Sequence, residues 1–385
     1  MVYRSYEEKA PWYDVRSWTR WTWVGVVAAI IVVVVAAVAI PVAIVTKRNS
    51  EGKYPDYFKL NYTLRETYGT DHFFDNFHYR NGDDPTHGHV HYVDPDYAAT
   101  YNLTPTLTDS VIIKVDTSVG PSSTPDASTG RFSVRLESKR QYNQGLFLFD
   151  IKHSPFGCAT WPALWLVDPS NWPDHGEIDV MEAVNPGAPS FPALGNSAVL
   201  HTSSSCSMDG KRNMTGSIAD VFGTNTQTTD CNASLNNNAG CGVSSGPETF
   251  GKAFNAAGGG IMAVEWRAEG IRVWQFARAT IPADIKAGNP DPASWPVPLA
   301  DFPNTNCDIG AHFRNASIVA NIDLCGDAMP ENVWSASGCP TPCVGEHKCV
   351  GGWTKTNCTD FVANNPQAFA NAYWEFGEFQ IYQAA

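Results

Sequence analysis

Hydrophobic positions fall along this chain in two different patterns. From Val24 to Val45 they are almost continuous: 22 residues carry no charge, with only Gly25 and Pro41 as weak breakers. A helix of that length, rising about 1.5 Å per residue, spans roughly 33 Å, enough to cross the hydrocarbon of a bilayer. A cleaved secretory signal would have a shorter core and lie nearer the N-terminus, whereas 23 residues precede this one. The pattern therefore predicts one transmembrane signal anchor. Beyond it, short runs rich in β-branched and aromatic residues recur at Ser110–Val115, Arg131–Leu136, Gly145–Ile151, Trp161–Val167, Glu177–Val184, Ile261–Glu265, Gly270–Phe276, Ser317–Ile322 and Tyr373–Tyr382. Turn residues separate them and helical periodicity is largely absent.

Many short strands with alternating faces bury their apolar sides only by stacking sheet on sheet. The expectation is an all-β fold, a two-sheet antiparallel β-sandwich of the jelly-roll, concanavalin-like kind. Residues 1–23 then form a cytoplasmic tail, 24–45 the anchor, 46–68 a polar stalk with Pro55, and 69–385 one large domain with long loops. The longest, Thr202–Gly260, is rich in Asn, Ser, Thr and Gly but contains Cys206, Cys231 and Cys241, which predicts a disulfide-stapled loop.

Charge and cysteine content narrow the setting. With 26 Lys and Arg against 39 Asp and Glu the net charge is −13, which repels phosphate backbones and excludes nucleic acid as a partner. Basic residues flank the apolar stretch on both sides (Arg4, Lys9, Arg16 and Arg20 before it; Lys47, Arg48, Lys53 and Lys59 after it), so they do not fix its orientation. Six N-x-[ST] sequons, at Asn61, Asn102, Asn213, Asn232, Asn315 and Asn357, and ten cysteines that all follow residue 150, do. Their spacings lack the paired C-x-x-C of a zinc site and predict disulfides. The N-terminus is thus expected in the cytoplasm and the large domain outside the cell or facing its wall.

The densest chemistry lies in Glu177-Ile-Asp-Val-Met-Glu182, bracketed by turn residues. On a helix the three carboxylates would point in three directions. On a regular strand Glu177 and Asp179 share a face and Glu182 falls on the other, unless one β-bulge near Val180 or Met181 resets the alternation. Crowded carboxylates on one face resist ionisation together, which suits an acid paired with a nucleophile. An acidic exposed strand and a calcium site are the alternatives.

Here the chain resembles glycoside hydrolase family 16, in its fungal-type laminarinase branch, which carries E-[ILV]-D-x-x-E on a jelly-roll strand. Asp84-Pro-Thr-His-Gly88, Thr160-Trp-Pro-Ala163, Phe302–Gly310, Leu324-Cys-Gly-Asp327 and Asn364–Phe369 look like the same branch. The resemblance implies Glu177 as nucleophile, Asp179 as its hydrogen-bonding partner and Glu182 as acid/base. It implies a retaining endo-β-glucanase acting on β-1,3 or mixed β-1,3/1,4-glucan, without cofactor or metal, working as a monomer. A transglycosylase of the same fold is the alternative, although the x-x spacing favours hydrolysis; a glucan-binding module without turnover is another, against which both catalytic Glu stand.

Sugar rings stack their C–H faces on indoles. Trp161 and Trp165 share a strand face with Ala163, and Trp172 lies five residues before Glu177. The resemblance implies these three tryptophans, with His201 of His201-Thr202, as substrate-binding. Val344–Asn357 reads as an insertion, and Cys349 and Cys358, without family counterparts, are expected to pair. His87, His89 and His91 share a strand face and are read as a solvated edge rather than a metal site. His175-Gly176-Glu177 has the H-x-E of zinc deaminases, but Cys339-Pro-Thr-Pro-Cys343 has the wrong spacing for the partner motif.

Overall fold

The computed structural model describes residues 13–50, 52–118, 130–185, 195–220, 227–340 and 358–385, with the side chains of 17 and 36–50 left out. The chain forms two compact units, Met1–Gly52 and Lys53–Ala385. In the first, one helix, α1 (Arg20–Ser50), contains the whole of the apolar stretch. Among residues whose side chains are described, no helix is long and apolar enough to cross a membrane; the second half of the stretch lies outside them.

The second unit is a sandwich of two antiparallel sheets. Its strands are β1 (Tyr62–Tyr68), β2 (Phe77–Tyr79), β3 (Val111–Lys114), β4 (Arg135–Tyr142), β5 (Gly145–His153), β6 (Thr160–Val167), β7 (Glu177–Glu182), β8 (Ser197–His201), β9 (Ser217–Ile218), β10 (Val243–Ser244), β11 (Gly260–Arg267), β12 (Gly270–Ala277), β13 (Ala300–Pro303), β14 (Ala316–Leu324) and β15 (Tyr373–Ala384). One sheet runs β1-β15-β5-β11-β12-β13, with β3 also beside β15; the other runs β9-β10-β8-β7-β6-β14-β4-β2.

Alternation decides what each strand buries. In β6, Leu164 and Leu166 face the inter-sheet core, where Ile178, Ile318, Ala320 and Ile322 of the neighbouring strands join them. Each of these Leu and Ile side chains contributes about 1.5–3 kcal/mol on burial. β5 is apolar on both faces because both are covered. Phe147, Phe149 and Ile151 enter the main core, whereas Leu146 and Leu148 join a second cluster with Ile261, Trp274 and Trp295. This outer cluster explains why β5 reads as a continuous apolar run.

Two expectations need correction. Residues 53–68, assigned to a stalk, belong to the compact unit of the domain. Tyr54 and Tyr57 donate their hydroxyls to Asp301 at 2.9 and 3.0 Å, Lys59 pairs with Asp291 at 2.8 Å, and β1 pairs with β15. Composition misled here: the segment is polar because it lies along the domain surface, and its tyrosines use their hydroxyls as anchors. Cys358 is bonded to Cys325, not to Cys349. The remaining bridges are Cys158–Cys339, Cys206–Cys307 and Cys231–Cys241, while Cys343 and Cys349 lie outside the described residues. Sequence proximity was a poor guide because the helix beginning at Cys358 packs beside the end of β14, bringing its cysteine to Cys325.

Candidate active site

The site is built on β7, where a bulge interrupts the ladder. Against β6, Glu177 faces Val167, Asp179 faces Trp165 and Glu182 faces Ala163, with the register shifting between Asp179 and Met181. Against β8 the same three residues face His201, Val199 and Ser197. Val180 is the extra residue, so Ile178 and Met181 enter the core while all three carboxylates emerge on the opposite face. The predicted parity reset is therefore present at the predicted place.

Each carboxylate has a different environment. Glu177 accepts a hydrogen bond from the indole N–H of Trp172, a side chain 43% exposed at the edge of the site. Glu182 accepts one from Trp161 Nε1 at 2.6 Å. Asp179 lies between them and is buried, its Oδ2 enclosed without a well-formed hydrogen bond and neighboured by His201 Nε2 at 3.3 Å. Ligand-type atoms of Glu177, Asp179 and His201 all lie within 4.8 Å of one another.

Electrostatics follow from this crowding. Burial raises the Asp179 carboxyl well above its ordinary range, and the charge of Glu177 adds to the effect. Burial also raises Glu182, although the Trp161 hydrogen bond opposes it. For His201 burial acts downward, but the Asp179 contact and the surrounding carboxylates outweigh it and push the ring up to about 9. Proton-holding groups thus surround one face of the strand, which suits general acid/base chemistry.

Comparison with known sequences settles the family. Residues 77–382 match the family description "XgeA-like, catalytic GH16 domain". The chain belongs to glycoside hydrolase family 16. This family 16 enzyme is 40% identical over 336 residues to a probable glycosidase of Schizosaccharomyces pombe, covering 86% of this chain and 71% of that one. It is 35% identical over 324 residues to endo-1,3(4)-beta-glucanase xgeA of Emericella nidulans, covering 84% of this chain but only 47% of that protein. Among solved structures, Laminarinase 16A from Phanerochaete chrysosporium, with two beta-glucans in its donor and acceptor sites, superposes with a TM-score of 0.72 at 37% identity. The match covers 84% of this chain and 100% of that one. An elongating family 16 beta-1,3-glucosyltransferase superposes with a TM-score of 0.70 at 34% identity and the same coverages.

In this family 16 enzyme the predicted aromatic residues take distinct positions. Trp161 and Trp165 share the carboxylate face with Ala163, as their alternation required. Trp165 donates to Asn321 Oδ1 at 2.8 Å and carries the Arg135 guanidinium 4.9 Å above its ring. His201 is only 7% exposed, and both ring nitrogens are engaged, Nε2 with Asp179 and Nδ1 with Asn238 at 2.9 Å. It is a partner of the carboxylates more than an open contact surface. The histidines of the 87–91 segment split up, His87 to Asp327 at 3.0 Å and His91 to Asp83 at 3.4 Å.

Sequence reasoning missed Asn321, Arg135 and Glu137. Asn321 faces Ala163 and Arg135 across adjoining strands. Arg135 pairs with Glu137 at 2.8 Å. The signal was available in the alternation of β14, where polar Asn321 and Asp323 interrupt an apolar strand.

The raised Asp179 has a consequence for stability. A carboxyl whose folded pKa exceeds its unfolded value binds more protons when folded, so stability falls as pH climbs from its ordinary 3.8 toward the raised value. Asp179→Asn removes that penalty. Its melting temperature is expected to gain on the wild type by about 2 °C or more between pH 4 and pH 7. Thermal melts at three pH values check this, and a difference that stays flat or shrinks contradicts it.

Proposed function

We propose that the chain hydrolyses β-1,3 or mixed β-1,3/1,4-glucan internally, with retention of anomeric configuration. The observation that carries the reading is the bulge, which turns Glu182 onto the face of Glu177 and leaves Asp179 between them. In the first step a Glu177 oxygen attacks the anomeric carbon while the glycosidic C–O bond breaks, and the Glu182 carboxyl gives its proton to the departing oxygen. In the second, water attacks the same carbon, its proton passes to Glu182, and the bond to Glu177 breaks. The raised Glu182 supports its starting as the acid. Asp179 holds Glu177 in place and shares its own proton with His201. Trp161, Trp165 and Trp172 border the carboxylates and offer faces for glucosyl rings. The chain acts as a monomer.

Release of reducing ends from laminarin and lichenan, but not xyloglucan, by the full chain tests the substrate class. Proton NMR of the first products is expected to show the β-anomer before mutarotation, and an initial α-anomer overturns the mechanism. The glucosyltransferase neighbour supports a second outcome of the same intermediate, in which a sugar hydroxyl replaces water. Products longer than the substrate at high acceptor concentration would place the chain there.

The catalytic unit faces the cell exterior, held by Val24–Val45 with the N-terminus in the cytoplasm. Four disulfides support an oxidising compartment. Asn61, Asn102, Asn213 and Asn315 are exposed sequon positions that a glycan could reach. Added protease is expected to digest the C-terminal unit on intact cells and spare an N-terminal tag; the reverse pattern overturns the orientation.

A further inference from the structure

We infer that Asn196 is the positioning residue that sets Glu182 for proton transfer, acting through the backbone of the bulge. The inference rests on the reading of Glu182 as acid/base.

A bulge leaves backbone groups without ladder partners, and buried groups of that kind must find others. Here the pairing of β7 with β8 skips from Asp179–Val199 to Glu182–Ser197. Asn196, fully buried just before β8, fills the gap with its side chain. Its Oδ1 accepts from Glu182 N–H at 3.0 Å and its Nδ2 donates to Val180 C=O at 3.0 Å. One amide thus replaces both missing ladder bonds and fixes its own orientation, since the N–H needs an oxygen and the C=O needs a donor.

Asn196 is itself clamped. Its N–H donates to Thr249 Oγ1 at 2.8 Å, and its C=O accepts from Ser245 N at 3.0 Å and Ser245 Oγ at 2.6 Å. Thr249 in turn donates to Gly246 C=O at 2.6 Å. The preceding Gly195 lies so close to this turn that a Cβ there would sit 1.8 Å from Gly246 O. A rigid turn at 245–249 therefore holds Asn196, and Asn196 holds the two ends of the bulge. Glu182 is the residue at one of those ends. Asn196 is on the core side and touches no reacting group.

Displacing a catalytic group by about 1 Å costs up to 10²-fold in rate. Asn196→Ala is therefore expected to lower kcat/KM on laminarin by about 10²-fold. From a dinitrophenyl β-laminaribioside the leaving group departs as dinitrophenolate without protonation while the laminaribiosyl unit passes to Glu177, so its kcat/KM, which reports the first step alone, is expected to fall less than about 3-fold. Thr249→Val loosens the clamp without touching Asn196 and carries the same test if the first variant does not fold; it is expected to show the same split, smaller in size. Equal losses on both substrates, or no loss on laminarin, overturn the inference. Glu182→Ala run alongside separates the two readings: if it also lacks the split, the acid/base assignment fails, whereas a split there without one at Asn196 and Thr249 rejects the positioning role alone.

Discussion

Glu177→Gln and Glu182→Gln are each expected to lower turnover on laminarin by at least about 10³-fold while leaving the fold intact. The size follows from the division of labour. Glutamine keeps the shape and the hydrogen bonds from Trp172 and Trp161 to the side-chain oxygens. It cannot, however, form a stable glycosyl ester in place of Glu177, nor release a proton in place of Glu182. Azide distinguishes the two roles. With Glu182→Ala, azide attacks the glycosyl-enzyme without needing a base and gives the β-azide; with Glu177→Ala it takes the place of the nucleophile and gives the α-azide. Activity of either Gln variant within about tenfold of wild type is incompatible with the assignment.

The core of the fold was legible because its strands obey simple alternation. The predicted run Trp161–Val167 lies within β6 (Thr160–Val167), and Gly270–Phe276 within β12 (Gly270–Ala277). The site was legible for a related reason: three carboxylates at spacings of two and three residues make sense on one sheet face only through a bulge. What the sequence concealed were features held by tertiary contact. β1 looked like a linker because it is largely exposed and its order comes from backbone pairing with β15 at the far end of the chain. β8 is only five residues long, and apart from His201, which the resemblance singled out, nothing in Ser-Ala-Val-Leu-His marks it as the strand beside the carboxylates. Asn196 was invisible because an Asn before a short strand has no pattern of its own, and its role exists only where the bulge leaves groups to be satisfied.

The Asp84–Gly88 segment shows the same limit at finer scale. Its residues were noticed as a motif, but their reason is geometric. Asp84 accepts backbone bonds from Thr86 at 2.7 Å and Gly88 at 3.2 Å, closing a tight turn. A Cβ on Gly88 would lie 1.7 Å from Asp323 Oδ1, so only glycine lets the turn approach the end of β14. Asp323 lies across from Trp161, the residue that donates to Glu182. The turn therefore borders the site on the carboxylate face, beside Trp161.

The disulfides should rank in stability by the length of chain they close. Cys158–Cys339 and Cys206–Cys307 span 181 and 101 positions, Cys325–Cys358 spans 33 and Cys231–Cys241 only 10. In the chain-entropy model these bridges contribute about 5 kcal/mol each for the first two, about 3.5 for the third and about 2.5 for the last. Paired Ser replacements are expected to lower the denaturation midpoint in that order, with the loss of either long bridge enough to remove a large share of an ordinary domain's stability of about 5–15 kcal/mol. Cys325–Cys358 adds an effect on the site. Cys325 precedes Gly326, whose modest size admits the Trp161 ring, since a Cβ there would come within 2.9 Å of the indole. Releasing Cys325 frees that wall, so the Cys325→Ser, Cys358→Ser pair is expected to lose activity well below its melting temperature. Non-reducing peptide mapping fixes the connectivity on which the ranking stands, and a Cys358 peptide linked to any partner but Cys325 removes its basis.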